Sequence, residues 1–266
     1  MGVGNYREQD VREAARAFTG WSLNSRGFIF NAGEHDFGMK TVLEEIGPFN
    51  GDDVIDIIMR QPATAAFITR RLFRFFAYDD IEPELHRHLQ RVFRLSAYNI
   101  KSVVREILLS EAFYSSKAYR SRPKSPAELV ASTVRTLGLE TDANGLPQLM
   151  TRMGQTLFDP PNVAGWPGGA TWLNSSTILE RINFMNRIVT DRQRFRPEVM
   201  LTSVGAVEPR RSLAYLLGLL VDGAMAAEEG EALEAYTDAV VTRTTFDSGM
   251  RAITYLILSS PDYQLA

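Results

Sequence analysis

The chain reads as an all-α protein, a multi-helix orthogonal or bundle-like array with one small β-hairpin near residues 22–38 and a long Pro/Gly/Trp loop at 158–174. Three observations predict this. Apolar residues recur at i, i+3, i+4 and i+7 over most of the 266 residues. A period-two run of aromatic and β-branched residues between turn residues occurs near residues 22–38. Between 158 and 174, Pro160, Pro161, Pro167, Gly165, Gly168 and Gly169 interrupt every regular period.

Val11, Ala14, Ala15 and Phe18 form one face of a first helix, 8–18, that stops near Gly20. Asn24-Ser25-Arg26-Gly27 followed by Phe28-Ile29-Phe30 suits a hairpin, and strand content is expected only there. Asn50 caps a helix whose first turn holds Asp52 and Asp53, favourable at the positive end of the dipole. After Pro62 a helix runs to about 77 with Ala65, Ile68, Leu72, Phe75 and Phe76 inward. Helices over 83–95 and 99–113 follow, the second with Ile100, Val103, Val104, Ile107 and Leu108 in register.

Ser125-Pro126 opens a helix to about 137, and another spans 146–157. Beyond the tryptophan loop, Thr177 and Glu180 form a candidate capping box before the stripe Ile178, Ile182, Met185 and Val189. The tail predicts helices over 209–222, 227–242 and 247–259. Residues 192–208 are mixed in charge and read as a linker. The expected organisation is a main helical region, 1–191, and a C-terminal helical subdomain, 209–266, packed on it or continuous with it. An internal echo aligns Val104-x-x-Ile107-Leu108-Leu109-Ser110 with Ile253-x-x-Leu256-Ile257-Leu258-Ser259.

Hydrophobic residues at 45% and charged residues at 23% exclude a mainly disordered chain. A net charge of -3 argues against nucleic acid as a partner. Lys40, Lys101, Lys117 and Lys124 are the only lysines, leaving 29 − 4 = 25 arginines. The absence of cysteine removes disulfides, thiolate metal sites and cysteine nucleophiles. No basic, then apolar, leader pattern opens the chain, and no apolar stretch approaches the roughly 20 residues that cross a bilayer.

Four groups of residues could carry chemistry. His35, Asp36 and Lys40 set an imidazole, a carboxylate and an ammonium in one turn region, which suits acid–base work; the usual alternative is that Asp36 accepts backbone donors and His35 packs. Gly38-x-Lys40-Thr41 lacks the spacing of a phosphate loop. His86 and His88, two apart on a helix, point to different sides and cannot chelate one ion, so no metal or cofactor is evident. Arg70, Arg71 and Arg74 offer an anion-binding face, or one paired with Asp79 and Asp80. Asp159, Asn162, Trp166, Trp172 and Asn174 supply polar atoms beside indole rings, which suits a sugar or planar ligand; the competing reading is a compact plug with Asn174 capping the next helix.

Four of these stretches together resemble the bacterial domain-of-unknown-function 1800 family. They are Asp10-Val-Arg-Glu-Ala-Ala-Arg-Ala-Phe-Thr-Gly-Trp21, His35-Asp-x-Gly-x-Lys-Thr41, Lys124-Ser-Pro-x-Glu128, and Phe158-Asp-Pro-Pro-Asn-Val-Ala-Gly-Trp-Pro-Gly-Gly-x-x-Trp172-Leu-Asn. The resemblance covers almost the whole chain and implies a largely helical fold with no established activity. It also implies that the chain corresponds to the C-terminal part, or a shortened form, of the family domain. The N-terminal portion would then be a partner surface, and relatives would be exported. A protein partner resembling exported sulfatase- or phosphatase-like proteins, encoded nearby, is a further implication. The expected function is a scaffold or interaction module working with a partner protein. The alternative is a hydrolase-like enzyme, or a sugar- or anion-binding protein, in which His35, Asp36 and Lys40 act with the 159–172 loop.

Overall fold

Residues 1–223 and 225–266 are described by a computed structural model. They form thirteen α-helices and two antiparallel two-stranded sheets, in two compact units, 1–119 and 120–266. The chain is therefore predominantly helical, as its periodicity predicts.

The first unit opens with α1 (Glu8–Ala17), then the ribbon β1 (Trp21–Asn24) and β2 (Gly27–Phe30). A second ribbon, β3 (Lys40–Val42) with β4 (Glu45–Gly47), was not expected from the sequence. Its turn places Leu43 and Glu44 at φ 50 and 71, so the usual Asn-Gly signal is missing. Tertiary bonds hold the turn instead, because Leu43 N donates to Asp10 Oδ1 at 2.8 Å and Thr41 N to Glu13 Oε2 at 3.2 Å. Four helices complete the unit: α2 (Gly51–Arg60), α3 (Pro62–Phe76), α4 (Pro83–Leu95) and α5 (Ile100–Leu109). Asn50 Oδ1 accepts from the amides of Asp52 and Asp53, the expected cap of α2.

Two cores lie in this unit. Ala17, Val42, Val54 and Ile57 make one, and Ala65, Phe73, Leu89, Phe93, Val103 and Ile107 belong to the other. Phe73, not Phe75, is the buried ring of α3, and Phe75 is exposed. The stripe there is Ala65, Thr69, Phe73; it was obscured because Thr69 is polar, but its hydroxyl donates back to Ala65 O at 2.7 Å and so tolerates burial. On the face Val11, Ala14, Ala15 and Phe18, Ala14 and Phe18 pack against the first of these cores, and all four line an open apolar cleft of about 420 Å³.

The second unit contains α6 (Pro126–Thr136), α7 (Leu146–Arg152), α8 (Ser175–Thr190), α9 (Pro197–Ser203), α10 (Pro209–Val221), α11 (Ala227–Val241), α12 (Phe246–Ser259) and α13 (Pro261–Gln264). It has one large core, centred on Leu129, Met153, Met185, Leu216, Ile253 and Ile257. The segment 192–208 is not a linker. Phe195, Leu201 and Ala206 are buried in this core, and Arg251 binds the carbonyls of Val189 and Phe195 at 2.7 and 2.6 Å. Its mixed charge concealed a packed apolar minority. The division between compact units falls after Tyr119 instead.

The sequence echo has a structural counterpart one residue out of register. Ser110 Oγ donates to Ile107 O and accepts from Phe113 N, while Ser260 Oγ donates to Ile257 O and accepts from Tyr263 N. The same serine stop thus ends α5 in one unit and α12 in the other.

Candidate functional site

The first motif explains itself as a set of clamps. On α1, Asp10, Glu13 and Arg16 recur every three residues and so share a face. Asp10 and Glu13 hold the backbone of the β3–β4 ribbon, as described above, and Arg16 Nη1 donates to Met39 O at 3.1 Å. Arg16 Nε meets Asp36 Oδ2 at 2.8 Å, and Asp36 Oδ1 accepts from Gly38 N at 2.8 Å. Bonding to Arg16, then to the Gly38 amide, lowers the Asp36 carboxyl to about 2. A Cβ on Gly38 would come within 2.9 Å of the Arg16 guanidinium, so the glycine leaves room for the pair.

Lys40 is 1% exposed and its ammonium donates to the carbonyls of Asp36 and Gly38, the latter at 3.0 Å. Thr19 Oγ1 donates to Arg16 O and accepts from Asp36 N. His35 Nδ1 donates to Thr19 O at 2.9 Å, which leaves Nε2 as the ring's acceptor nitrogen. The ring stands edge-on between Phe30 and Phe37, with centroids 5.2 and 4.6 Å away. The structure therefore brings His35, Asp36 and Lys40 into one loop, with the polar atoms of Asp36 and Lys40 engaged in holding its backbone.

Beside that loop lies an unusual surface. Trp21 pairs with Phe30 and Leu23 with Phe28 across the β1–β2 ribbon, so four apolar side chains share one face. Only Trp21 is well covered: its ring meets Phe18 and Phe28 edge-on, and it lies over Gly51, where a Cβ would approach it to 2.4 Å. Leu23 is 79% exposed, Phe28 59% and Phe30 47%, with Phe37 and Met39 exposed nearby.

Elsewhere in the first unit, the arginine group does not converge. Arg74 pairs with Asp79 at 2.6 Å, Arg71 lies over the Phe67 ring, and Arg70 is exposed. His86 Nε2 reaches Ala66 O and His88 Nε2 reaches Glu106, so the two rings serve different partners.

In the second unit, the tryptophan loop folds on itself. Trp172 is buried, and its carbonyl accepts from Thr177 Oγ1 at 2.8 Å. Asn174 Oδ1 accepts from Ser176 and Thr177 amides, which makes Asn174 the cap of α8 and displaces the expected Thr177–Glu180 box. Asn162 Oδ1 closes a local turn on Ala164 N. Trp166 is half-buried, Asp159 is exposed, and Phe158 and Val163 project wholly into solvent.

Around the Lys124–Glu128 motif lie Arg122, Arg181 and Tyr263, which sequence reasoning did not single out as a group with it. Ser125 and Glu128 form a reciprocal capping box on α6, and Arg122 pairs with Glu128 at 2.8 Å. Lys124 donates to Tyr263 O at 2.8 Å and sits 4.0 Å from the Tyr263 ring centroid. Burial, then the neighbouring Arg120, pushes its ammonium down to about 8. Arg181 is 1% exposed; its Nη2 donates to Lys124 O at 2.8 Å, its Nη1 to Gln264 Oε1 at 3.2 Å, and its Nε has no partner among the described residues. Burial lowers it to about 10. The spacing of Arg181 from Thr177 and Met185, four residues each way, was the available signal.

Fold and sites together define a predominantly helical protein whose signature residues brace loops. The family model described as "Protein of unknown function (DUF1800)" matches residues 1–265, and the chain belongs to that family. No curated protein and no solved structure matches the chain. Among the described residues no helix is long and apolar enough to cross a membrane.

Proposed function

We propose that the chain is an interaction module that engages a partner protein through the apolar face of the β1–β2 ribbon. The observation that carries this reading is the pairing of Leu23 with Phe28 and Trp21 with Phe30, which gathers apolar side chains on one face and leaves three of the four largely exposed. Contiguous exposed apolar surface marks interaction sites, and aromatic anchors supply much of the energy of such contacts. The clamps at Asp10, Glu13, Arg16, Asp36 and Lys40 support the same reading, because they fix the backbone beside the ribbon and so reduce the entropy lost on binding. The partner chemistry is an apolar groove that accepts Leu23 and Phe28.

The test is a photo-crosslinking amino acid placed at Leu23 in the native cells. The expected product is one discrete hetero-adduct that disappears when Phe30→Ser is added and does not form from the exposed turn position Asn144. Adducts equally abundant from both positions, or none, would count against the proposal. An adduct of twice the chain mass would reassign the face to self-association.

A hydrolase-like alternative has one observation in its favour. The bond from His35 Nδ1 to Thr19 O orients the ring and leaves Nε2 free to accept a proton. Turnover of a phosphate or sulfate ester that vanishes with His35→Ala supports that alternative.

A further inference from the structure

We propose that the α4–α5 hairpin docks the chain on a membrane surface that carries anionic lipid. Residues 96–99 join the two helices, and His88 of α4 meets Glu106 of α5 at 3.0 Å, so the helices run back along each other. Leu89 and Phe93 of α4 and Val103 and Ile107 of α5 enter the same core. Their opposite faces therefore look outward together. The hairpin lies in the first unit, and the proposal does not rest on the ribbon reading above.

The charge on that outward face carries the inference. From residue 85 to residue 105 there is no aspartate or glutamate, while Arg87, Arg91, Arg94, Lys101 and Arg105 are all exposed. Arg87, Arg91 and Arg94 recur at i, i+4 and i+7 on α4, and Lys101 and Arg105 at i and i+4 on α5, so each set forms a stripe. Of the carboxylates around the hairpin, Glu84 lies 3.9 Å from Arg87, Glu106 is held by His88, and Glu45 and Asp56 act on Arg60 at the end of α2. Arg91 reaches the His88 ring, and Arg91, Arg94, Lys101 and Arg105 have no carboxylate partner among the described residues.

A second feature selects lipid over a soluble polyanion. Leu95 and Ile100, on either side of the turn, are 82% and 54% exposed. The turn that carries them is fixed from inside: the Tyr98 ring stands edge-on to Phe93 with centroids 5.3 Å apart, and its hydroxyl donates to Met59 O at 2.6 Å. Tyr98 thus faces inward, and the two aliphatic side chains are left outward among the cations. Such a surface suits the boundary between headgroups and acyl chains, where basic side chains meet lipid phosphates and aliphatic ones enter the apolar layer.

The test sediments the full chain with vesicles of phosphatidylcholine alone and with vesicles containing about 30% phosphatidylglycerol. We expect binding only to the second, lost at about 0.5 M sodium chloride. Arg91→Gln and Lys101→Gln, exposed changes on different helices, each weaken it about fivefold and leave the melting curve in place. The chain has no cysteine, so Leu95→Cys gives a single labelling point for an environment-sensitive fluorophore. Its emission shifts to the blue on the anionic vesicles, and that of a label at the exposed turn position, through Asn144→Cys, does not. Equal sedimentation with both vesicles, an unshifted label at Leu95→Cys, or binding that survives both glutamine changes overturns the proposal. Soluble polyglutamate bound as tightly as the vesicles, per negative charge, also overturns it and reassigns the face to an acidic polypeptide.

Discussion

Arg16 and Asp36, twenty residues apart, are joined by a 2.8 Å ion pair that closes the His35 loop against the end of α1. Both partners are more than a third exposed, so the pair's worth lies in positioning the loop more than in raw stability. Its signature is a pH dependence. The folded carboxyl titrates near 2, below its ordinary value of 3.8, so the folded state holds the proton less tightly than the unfolded chain. The stabilisation is fully present above the ordinary value and is lost as pH falls toward 2. We expect the melting temperatures of wild type and Asp36→Asn to differ at pH 6 and converge by about pH 2. A gap that is constant across this range would show that Asp36 is not linked to folding.

Gly51 packs under the Trp21 ring, where a Cβ would sit 2.4 Å from the indole and 2.7 Å from Phe18. Gly51→Ala should therefore destabilise the first unit by about 1–3 kcal/mol through overpacking, despite the higher helix propensity of alanine. Denaturant melts measure this directly. A neutral or stabilising result would mean that Trp21 swings aside, and the ribbon would then be loosely attached.

Asn174 stands at the joint between the tryptophan loop and α8. Removing its cap with Asn174→Ala should cost about 1 kcal/mol. If the loop is held as a plug, Trp172 fluorescence should keep its buried character in the variant. A large red shift would show that the cap, rather than the packing of the ring, retains the loop.

Lys124 should titrate near 8, whereas an ordinary lysine titrates near 10.5. The folded state disfavours its charge, so the stability penalty is complete below about 8 and relieved as pH rises toward 10.5. Amine-selective acylation of Lys124 should rise with pH as a group titrating near 8 and level off by about pH 9. A rate still climbing about tenfold per pH unit between about 9 and 10 would contradict the shift.

The helices were legible in the sequence because period and capping residues are local, whereas the 158–174 loop has no period and left both a ligand surface and a compact plug open. The cap at Asn50 and the stop near Gly20 are read from neighbours alone. The second ribbon was not legible, since the unfavourable backbone at Leu43 and Glu44 is supported by Asp10, thirty-three residues away from Leu43. The burial of Arg181 and Thr69 was hidden for a related reason. Each is polar on an apolar stripe, and only tertiary carbonyls or back-bonding explain its place. In the candidate sites, the sequence located the His35 loop and offered the reading in which Asp36 accepts a backbone amide and His35 packs, as found, but not the pairing of Asp36 with Arg16, and it located Lys124 as part of a motif without showing that a cleft lies beside it.

The central claim is that the uncovered face of the β1–β2 ribbon is a partner surface and not a structural necessity. Leu23→Ser separates these, because Leu23 is 79% exposed and its loss should change stability by no more than about 0.5 kcal/mol. The decisive measurement uses a second probe position, a photo-crosslinking amino acid at Phe28, and compares its adduct yield in native cells with Leu23 intact and with Leu23→Ser, taken beside the melting curves of the two chains. The account predicts unchanged melting with the adduct lost; an undiminished adduct, or a loss matched by collapse of the fold, would contradict it.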